Sequence, residues 1–162
     1  MTVAQTAGVD QTRALGAAVA SLARPGDLLL LAGDLGAGKT AFAQGFARGL
    51  GVTGQVVSPT FTISRQYEGT TLTLNHLDVY RLDHLQEAID LGLSELIDDD
   101  GGVTLIEWGD VVIPTLPADF LEVRIAYGVD DDDRVFSFHS VGSHWGARRY
   151  ALDEALTPWQ AG

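Results

Sequence analysis

The sequence predicts a mixed α/β fold with a mostly parallel central sheet, a β-hairpin insertion and antiparallel C-terminal strands. Residues 28–32 form a continuous apolar run, which is typical of a strand buried on both faces of a parallel sheet. Residues 33–40 are rich in glycine and lead into a helical repeat. Residues 120–127 and 134–140 flank an acidic turn and are predicted as antiparallel strands.

The first half of the chain contains two predicted helices. One covers residues 12–22, where apolar side chains recur along one stripe and Asp10 could cap the first turn. The other follows the glycine-rich segment, because Phe42, Phe46 and Leu50 recur at a spacing of four. A strand, a glycine-rich loop and a helix are therefore expected in succession.

The middle of the chain is predicted to form a hairpin, a helix and a further strand. Residues 61–67 and 70–76 alternate on either side of a Glu-Gly turn, which indicates a β-hairpin. Residues 83–97 have the spacing of an amphipathic helix. Residues 103–106 are apolar and short, as expected of another buried strand.

The organisation predicted is one domain over residues 1–142, because no linker long enough to divide this part is present. Residues 143–162 show a weaker pattern and are expected to be a C-terminal tail with a short helix. Trp145, Leu152 and Leu156 could line that helix.

Composition restricts the class of partner. A net charge of −12 disfavours direct binding to nucleic acid, so contact with an RNA should be indirect, through a protein. No apolar run approaches the roughly 20 residues of a membrane helix, so no membrane association is expected. The chain has no cysteine and no basic, apolar leader at its start, which favours a cytoplasmic location.

Residues 33–40 match the phosphate-loop pattern G-x-x-x-x-G-K-[ST] between a predicted strand and a predicted helix. Glycine permits the backbone conformations in which successive amides surround an anion, and the helix start adds a positive dipole end. The only lysine in the chain stands inside this pattern. The sequence thus predicts a P-loop NTPase domain that binds ATP through Gly33, Asp34, Leu35, Gly36, Ala37, Gly38, Lys39 and Thr40.

A phosphate loop of this kind requires Mg²⁺, which Thr40 is placed to bind through its hydroxyl. The second protein contribution should be a carboxylate at the end of a neighbouring strand, and Glu107 and Asp78 are both candidates. Thr60 lies about 20 residues after Lys39, where a γ-phosphate-sensing segment or an ordinary turn could occur. His76 is expected to be a hydrogen-bonded structural histidine, since the four histidines lack metal-ligand spacing.

Four segments together resemble the TsaE (YjeE) family, the ATPase of bacterial threonylcarbamoyladenosine biosynthesis. In chain order they are Gly-Asp-Leu-Gly-Ala-Gly-Lys-Thr at 33–40, Ser-Pro-Thr-Phe-Thr at 58–62, His-Leu-Asp-Val-Tyr-Arg-Leu at 76–82 and Ile-Glu-Trp at 106–108. The resemblance implies Mg-dependent ATP hydrolysis acting on TsaB and TsaD, with tRNA contacted only through that complex. The modified base would be the adenosine beside the anticodon in tRNAs that read codons beginning with A.

The resemblance also implies roles for individual residues. Thr40 and Glu107 would hold Mg²⁺, while Asp78 would be a second functional carboxylate near the nucleotide. Thr60 would belong to a switch-like segment, and Lys39 would contact the phosphates. Two ATP contacts would come from elsewhere: Thr12, near the adenine, and Arg134, near the nucleotide from the C-terminal strands.

Other activities share a phosphate loop. A small-molecule kinase remains an alternative, although such enzymes usually carry a lid with several arginines, and the nine arginines here are dispersed. A GTPase would need a second lysine to recognise guanine through Asn-Lys-x-Asp, and the chain has none. A nucleotide-binding protein without hydrolysis is mildly disfavoured by the two strand-end carboxylates.

Overall fold

Seven β-strands form one sheet in the computed structural model, which describes residues 1–33, 36–57, 64–78, 101–107 and 119–160. In chain order the elements are β1 (Thr2–Thr6), α1 (Val9–Ala20), β2 (Leu28–Gly33), α2 (Lys39–Gly49), β3 (Ser64–Tyr67), β4 (Thr73–Asp78), β5 (Gly102–Glu107), β6 (Phe120–Tyr127), β7 (Arg134–Val141), α3 (Ser143–Ala147), α4 (Arg149–Ala155) and a C-terminal 3-10 turn (Thr157–Trp159).

The strands lie in the order β1-β7-β6-β2-β5-β4-β3. Strands β6, β2, β5 and β4 are parallel to one another and form the centre of the sheet. The pairings β1–β7, β7–β6 and β4–β3 are antiparallel. Within the described residues the sheet is therefore half parallel rather than mostly parallel, with a parallel centre and antiparallel edges.

The predicted strands agree with the structure to within a few residues. The two middle strands form the expected antiparallel hairpin, in which Tyr67 stands opposite Leu74. The cap prediction is wrong, because α1 begins at Val9 after Gly8 and Asp10 lies in its first turn. There the Asp10 carboxylate pairs with Arg13 at 3.3 Å. The helix predicted over 83–97 lies outside the described residues.

Helices α1 and α2 pack closely against each other on one face of the sheet. Glycines allow this approach: a β-carbon on Gly45 would overlap the Arg13 carbonyl oxygen, and one on Gly49 would lie 2.7 Å from the Ala20 β-carbon. Beneath the helices lies an apolar core rich in aromatic rings, in which Phe42 stacks on Phe136 with centroids 6.0 Å apart. This packing fixes the beginning of α2, and with it the end of the glycine-rich loop.

The C-terminal segment, which we expected to be a tail with one short helix, forms α3, α4 and the 3-10 turn and packs into the core. Trp145, Leu152 and Leu156 are buried, as part of the same apolar cluster as the helices α1 and α2. Arg148 makes a bidentate ion pair with Asp27 at 2.5 and 2.7 Å, and both side chains are buried. Within the described part of the chain, no helix has the length and apolarity needed to cross a membrane.

Candidate functional site

The glycine-rich loop lies at the carboxyl end of β2, in the parallel centre of the sheet, and leads directly into α2. Gly36 and Gly38 have φ angles of 82° and 113°, a region that residues with a side chain rarely adopt. The loop conformation therefore requires glycine at these two positions. Asp34 and Leu35 lie outside the described residues.

Lys39 is the first residue of α2 and its side chain is buried, with 7% exposed. The Nζ atom donates a hydrogen bond to the Gly33 carbonyl oxygen at 2.6 Å, across the base of the loop. Among the described residues no side chain makes a capping hydrogen bond to the first amides of α2. Thr40 follows in the first turn and is exposed. The Lys39 cation, the Thr40 hydroxyl and the positive end of the α2 dipole therefore all lie at the loop.

Asp78 and Glu107 are the last residues of β4 and β5, and they lie at the same end of the sheet as the loop. They are direct partners in the parallel pairing of β4 with β5, and Glu107 is in turn the partner of Leu31 in β2. Partners in register project their side chains to the same face of a sheet. Both are buried, with 7% of Asp78 and 2% of Glu107 exposed. The two predicted carboxylates are therefore neighbours beside the end of the loop strand.

Glu107 is held by a histidine. His76 Nε2 lies 3.0 Å from Glu107 Oε2, and the His76 ring is fully buried. His76 stands two residues before Asp78 in β4, so both side chains project to the face that carries Glu107. The predicted structural histidine therefore has a hydrogen bond, and its partner is one of the two candidate metal ligands.

Arg134 contacts the loop from the start of β7. Its Nε donates to the Ala37 carbonyl oxygen at 3.0 Å, and a longer contact of 3.5 Å joins the guanidinium to Gly36. The other side of the guanidinium donates to Asp131 and Asp133 carbonyl oxygens in the β6–β7 turn. Arg134 thus joins the acidic turn to the loop backbone, a contact that the sequence pattern did not reveal.

Thr12 also lies at the loop. It is buried in α1, its hydroxyl is 2.8 Å from that of Thr6, and a β-carbon on Gly38 would lie 3.9 Å from its methyl group. The structure therefore brings Thr12, Lys39, Asp78, Glu107 and Arg134 to one end of the sheet. Thr60, predicted as a switch residue, and Trp108 lie outside the described residues.

The two carboxylates, Asp78 and Glu107, fit a metal ion that is bound partly by the protein and partly by a substrate. Within the described ranges no three His, Cys, Asp or Glu side chains are grouped closely enough to enclose a metal ion. Mg²⁺ commonly uses only one or two carboxylates, together with water and substrate phosphates. Two adjacent buried carboxylates beside a phosphate-loop sequence match that requirement.

These features define a mixed α/β domain in which a glycine-rich loop joins a central parallel strand to a helix, beside two strand-end carboxylates. The family model described as "Threonylcarbamoyl adenosine biosynthesis protein TsaE" matches residues 6–135. The chain therefore belongs to the TsaE family, as the four sequence segments indicated, and thereby to the proteins of tRNA threonylcarbamoyladenosine biosynthesis.

Individual members of the family are similar to this chain over most of their length. The chain is 44% identical to the tRNA threonylcarbamoyladenosine biosynthesis protein TsaE of Bacillus subtilis strain 168 over 141 residues, which is 87% of either protein. It is 41% identical to the TsaE protein of Streptomyces coelicolor, over 82% of this chain and 93% of that protein. Among solved structures, the crystal structure of YdiB from Bacillus subtilis superposes with a TM-score of 0.79, at 39% identity, covering 97% of this chain and 94% of YdiB.

Proposed function

We propose that this chain is a Mg-dependent ATP hydrolase of the cytoplasm that serves threonylcarbamoyladenosine modification of tRNA. ATP binding and hydrolysis would act on a complex of TsaB and TsaD, and the tRNA would be contacted only through that complex. The net charge of −12 supports an indirect contact, because a strongly acidic protein is repelled by the phosphate backbone.

One observation carries the proposal: Lys39, Asp78 and Glu107 converge at the carboxyl end of the parallel strands. Ligands of open α/β sheets bind at this end. The lysine supplies a cation to the phosphates, while the two carboxylates suit a metal and the attacking water. All three groups are buried, where electrostatic interactions are stronger than in water.

The loop suits a polyphosphate. Its two positive-φ glycines give the local geometry in which backbone amides can form an anion-binding concavity. The start of α2 adds about half a positive charge, and Thr12 packs against the loop at Gly38. Arg134 bonds to loop carbonyls, so we assign it to holding the loop as well as to the neighbourhood of the nucleotide.

Thr40 and Glu107 would hold Mg²⁺, with Asp78 and Thr60 completing the catalytic group. When bound, the ion would neutralise charge on the β- and γ-phosphates. His76 Nε2 lies 3.0 Å from Oε2 of Glu107, and this contact orients the carboxylate that would hold the ion. The exposed position of Thr40 in the first turn of α2 keeps its hydroxyl accessible.

Two described arginines, Arg134 at the loop and Arg148 at the opposite end of β2, do not favour a kinase. Arg134 is engaged with backbone carbonyls of the loop and the turn, and Arg148 is paired with buried Asp27. A phosphoryl-transfer lid would instead need arginines that can close over the transferred group. The contacts of these two described arginines therefore support hydrolysis over transfer to a metabolite.

Replacing the loop cation tests the ATPase assignment. Lys39→Ala should lower the rate of Mg-ATP hydrolysis roughly 30- to 1000-fold, equivalent to about 2–4 kcal/mol of transition-state stabilisation. Phosphate release would be measured with the full chain, alone and with TsaB and TsaD. Arg149→Ala, at an exposed position far along the chain, serves as the control and should keep the wild-type rate. Equal rates in all three proteins would refute the assignment.

The role in tRNA modification is tested by reconstitution. TsaB, TsaD, a donor of the threonylcarbamoyl group and a substrate tRNA would be combined with and without this protein and Mg-ATP. Modification should continue over many turnovers only when the wild-type protein is present, and Lys39→Ala should not replace it. Turnover that is indifferent to the protein, together with phosphate transfer to a metabolite, would favour the kinase.

A further inference from the structure

A small polar pocket lies where α1, the C-terminal half of α2 and residues 52–56 meet. The residues relevant here are Arg13, Gln44, Arg48 and Val56. The pocket has a volume of about 160 Å³, whereas sites for drug-sized molecules usually measure roughly 300–1,000 Å³. It is therefore of a size for one side chain or one small group rather than for a nucleotide.

The pocket carries positive charge on an acidic protein. Among the described residues that line it, Arg13 and Arg48 are the charged ones. The whole chain has 22 acidic residues against 10 basic ones, for a net charge of −12. Two of the ten basic side chains are thus placed around one small concavity, and a group that binds there should be an anion.

Arg13 is held in position by a relay of hydrogen bonds. Its Nε donates to Gln44 Oε1 at 3.1 Å, and Gln44 Nε2 donates to the Val56 carbonyl oxygen at 3.1 Å. The relay joins the three walls of the pocket, which belong to α1, α2 and the segment that follows α2. The guanidinium is therefore oriented before a ligand binds, which lowers the entropic cost of binding.

The Arg13 guanidinium already has one acidic neighbour outside the pocket. Its Nη1 lies 3.3 Å from Asp10 Oδ1, but the Asp10 side chain is fully exposed while that of Arg13 is 34% exposed. An ion pair of this kind contributes little, because water screens it. A carboxylate that enters the pocket would compete only with this weak pair.

Arg48 supplies the second cation from the last turn of α2. It stands four residues after Gln44, so the two side chains lie on the same face of the helix. Arg48 is exposed and can move toward a ligand. A guanidinium can bind a carboxylate through two parallel hydrogen bonds, so one oriented and one mobile arginine suit a single carboxylate group.

The same chemistry could serve a phosphate of an RNA, but the charge distribution favours a protein. Binding to a nucleic-acid backbone needs several cations spread along a surface, and it is opposed by a net charge of −12. The pocket offers two cations around a volume of about 160 Å³. One acidic side chain satisfies this site, whereas a strand of phosphates does not.

We propose that this arginine pocket is a docking site for an aspartate or glutamate side chain of a protein partner. The inference rests on the proposed function, since it assigns residues to the contact with a protein through which the ATPase acts. Neither arginine belongs to the residues assigned to ATP or the metal. The pocket should therefore determine affinity for the partner and leave hydrolysis by the isolated chain unchanged.

Charge reversal at the exposed arginine tests this assignment. Binding of the full chain to the purified TsaB–TsaD complex would be measured by calorimetry, with Mg²⁺ and a non-hydrolysable ATP analogue. Arg48→Glu should weaken binding at least about 10-fold, because it places a like charge opposite the partner's carboxylate. Arg149→Glu is the matched control, since it changes the net charge equally at an exposed position outside the pocket. It should bind like the wild type.

Variants of Arg13 test the geometry of the pocket. Arg13→Ala should weaken binding about 5- to 30-fold, as expected for truncating an arginine that anchors an interface. Arg13→Lys should recover only part of this loss, because lysine keeps the charge but not the planar fork. High salt should weaken binding of the wild type more than binding of Arg48→Glu, since the screened attraction is already absent from that variant.

The outcomes separate this inference from the proposed function. Equal affinities of Arg48→Glu and Arg149→Glu would overturn the inference and leave the proposed function standing. Lower basal Mg-ATP hydrolysis in Arg48→Glu would also overturn it, because the arginine would then act on the fold or the nucleotide site. So would binding of substrate tRNA alone that Arg48→Glu abolishes, with affinity for TsaB–TsaD unchanged, because the ligand would then be an RNA phosphate. A wild-type chain that does not bind TsaB–TsaD would overturn the proposed function itself.

Discussion

At the scale of single residues, the contact between His76 and Glu107 links the core to the candidate site. A carboxylate with only 2% of its surface exposed needs a hydrogen-bond donor, and the His76 ring supplies one at 3.0 Å. The strand register holds both groups on the same face of the sheet. Glu107 therefore has one oxygen in a fixed position before any ligand binds, which is the preorganisation a metal ligand needs.

His76→Phe should lower the free energy of unfolding by about 1–3 kcal/mol, because it removes a donor from a buried carboxylate. In a Glu107→Gln background the same change should cost less, since no buried carboxylate is left without its donor. Urea denaturation of the four proteins measures this coupling. His139→Phe, on an exposed position of β7, is the control and should change stability by less than about 0.5 kcal/mol. Equal costs of His76→Phe in both backgrounds would show that the pair is not coupled.

Sequence analysis located the loop residues and both carboxylates, because each belongs to a local pattern with a strand or helix beside it. The local patterns did not decide which of Asp78 and Glu107 would contact the metal. They also could not show that the two carboxylates are adjacent, because adjacency depends on which strands pair and in which register. The family resemblance implied that Arg134 lies near the nucleotide, but its hydrogen bonds to the loop carbonyl oxygens join residues almost a hundred positions apart and leave no local pattern. The His76–Glu107 pair had one usable signal, the spacing of two between His76 and Asp78 in a strand.

At the scale of elements, the junction of α1 with α2 determines where the loop ends. Gly45 faces the Arg13 backbone and Gly49 faces Ala20, so the two helices approach more closely than side chains would allow. Interiors are close-packed, and even one added methyl group must displace its neighbours. The position of Lys39 at the start of α2 is thereby tied to this contact.

Gly45→Ala should destabilise the protein by about 1–3 kcal/mol, because the added methyl group meets backbone and cannot be relieved by a side-chain rotation. Gly146→Ala is the matched control in α3, where a β-carbon meets nothing within 4 Å. That substitution should be neutral or stabilise by up to about 1 kcal/mol through helix propensity. Thermal unfolding of both variants measures the difference, and equal melting temperatures would contradict the packing argument.

Strand β1 shows why one element was not predicted. Its buried positions are Thr2, Ala4 and Thr6, whereas the most apolar residue of the strand, Val3, is 40% exposed. The usual alternation of apolar and polar residues is therefore inverted. The strand forms because β7 provides an edge to pair with, from Thr2 opposite Phe138 to Thr6 opposite Arg134. Such an edge is a property of the tertiary structure and leaves little trace in the strand's own sequence.

At the scale of the whole molecule, the C-terminal segment is joined to β1 and to the connection between α1 and β2. The Thr2 hydroxyl donates to the Asp153 carboxylate, which connects β1 to α4. Arg148 pairs with Asp27 just before β2 and donates to the Leu22 carbonyl oxygen at 2.9 Å. Its guanidinium also lies 4.1 Å from the centre of the Trp145 ring. Residues 143–160 are therefore integral to the domain.

Arg148→Met tests this integration. The substitution introduces an uncharged, unbranched side chain and leaves Asp27, with 4% of its surface exposed, without the cation that faces it. Breaking a buried ion pair from one side costs about 3–5 kcal/mol, because the remaining charge is not compensated. Arg149→Met, at the adjacent exposed position, should cost less than about 0.5 kcal/mol. Urea unfolding measures both values, and a similar stability for the two variants would mean that the C-terminal helices contribute little to the fold.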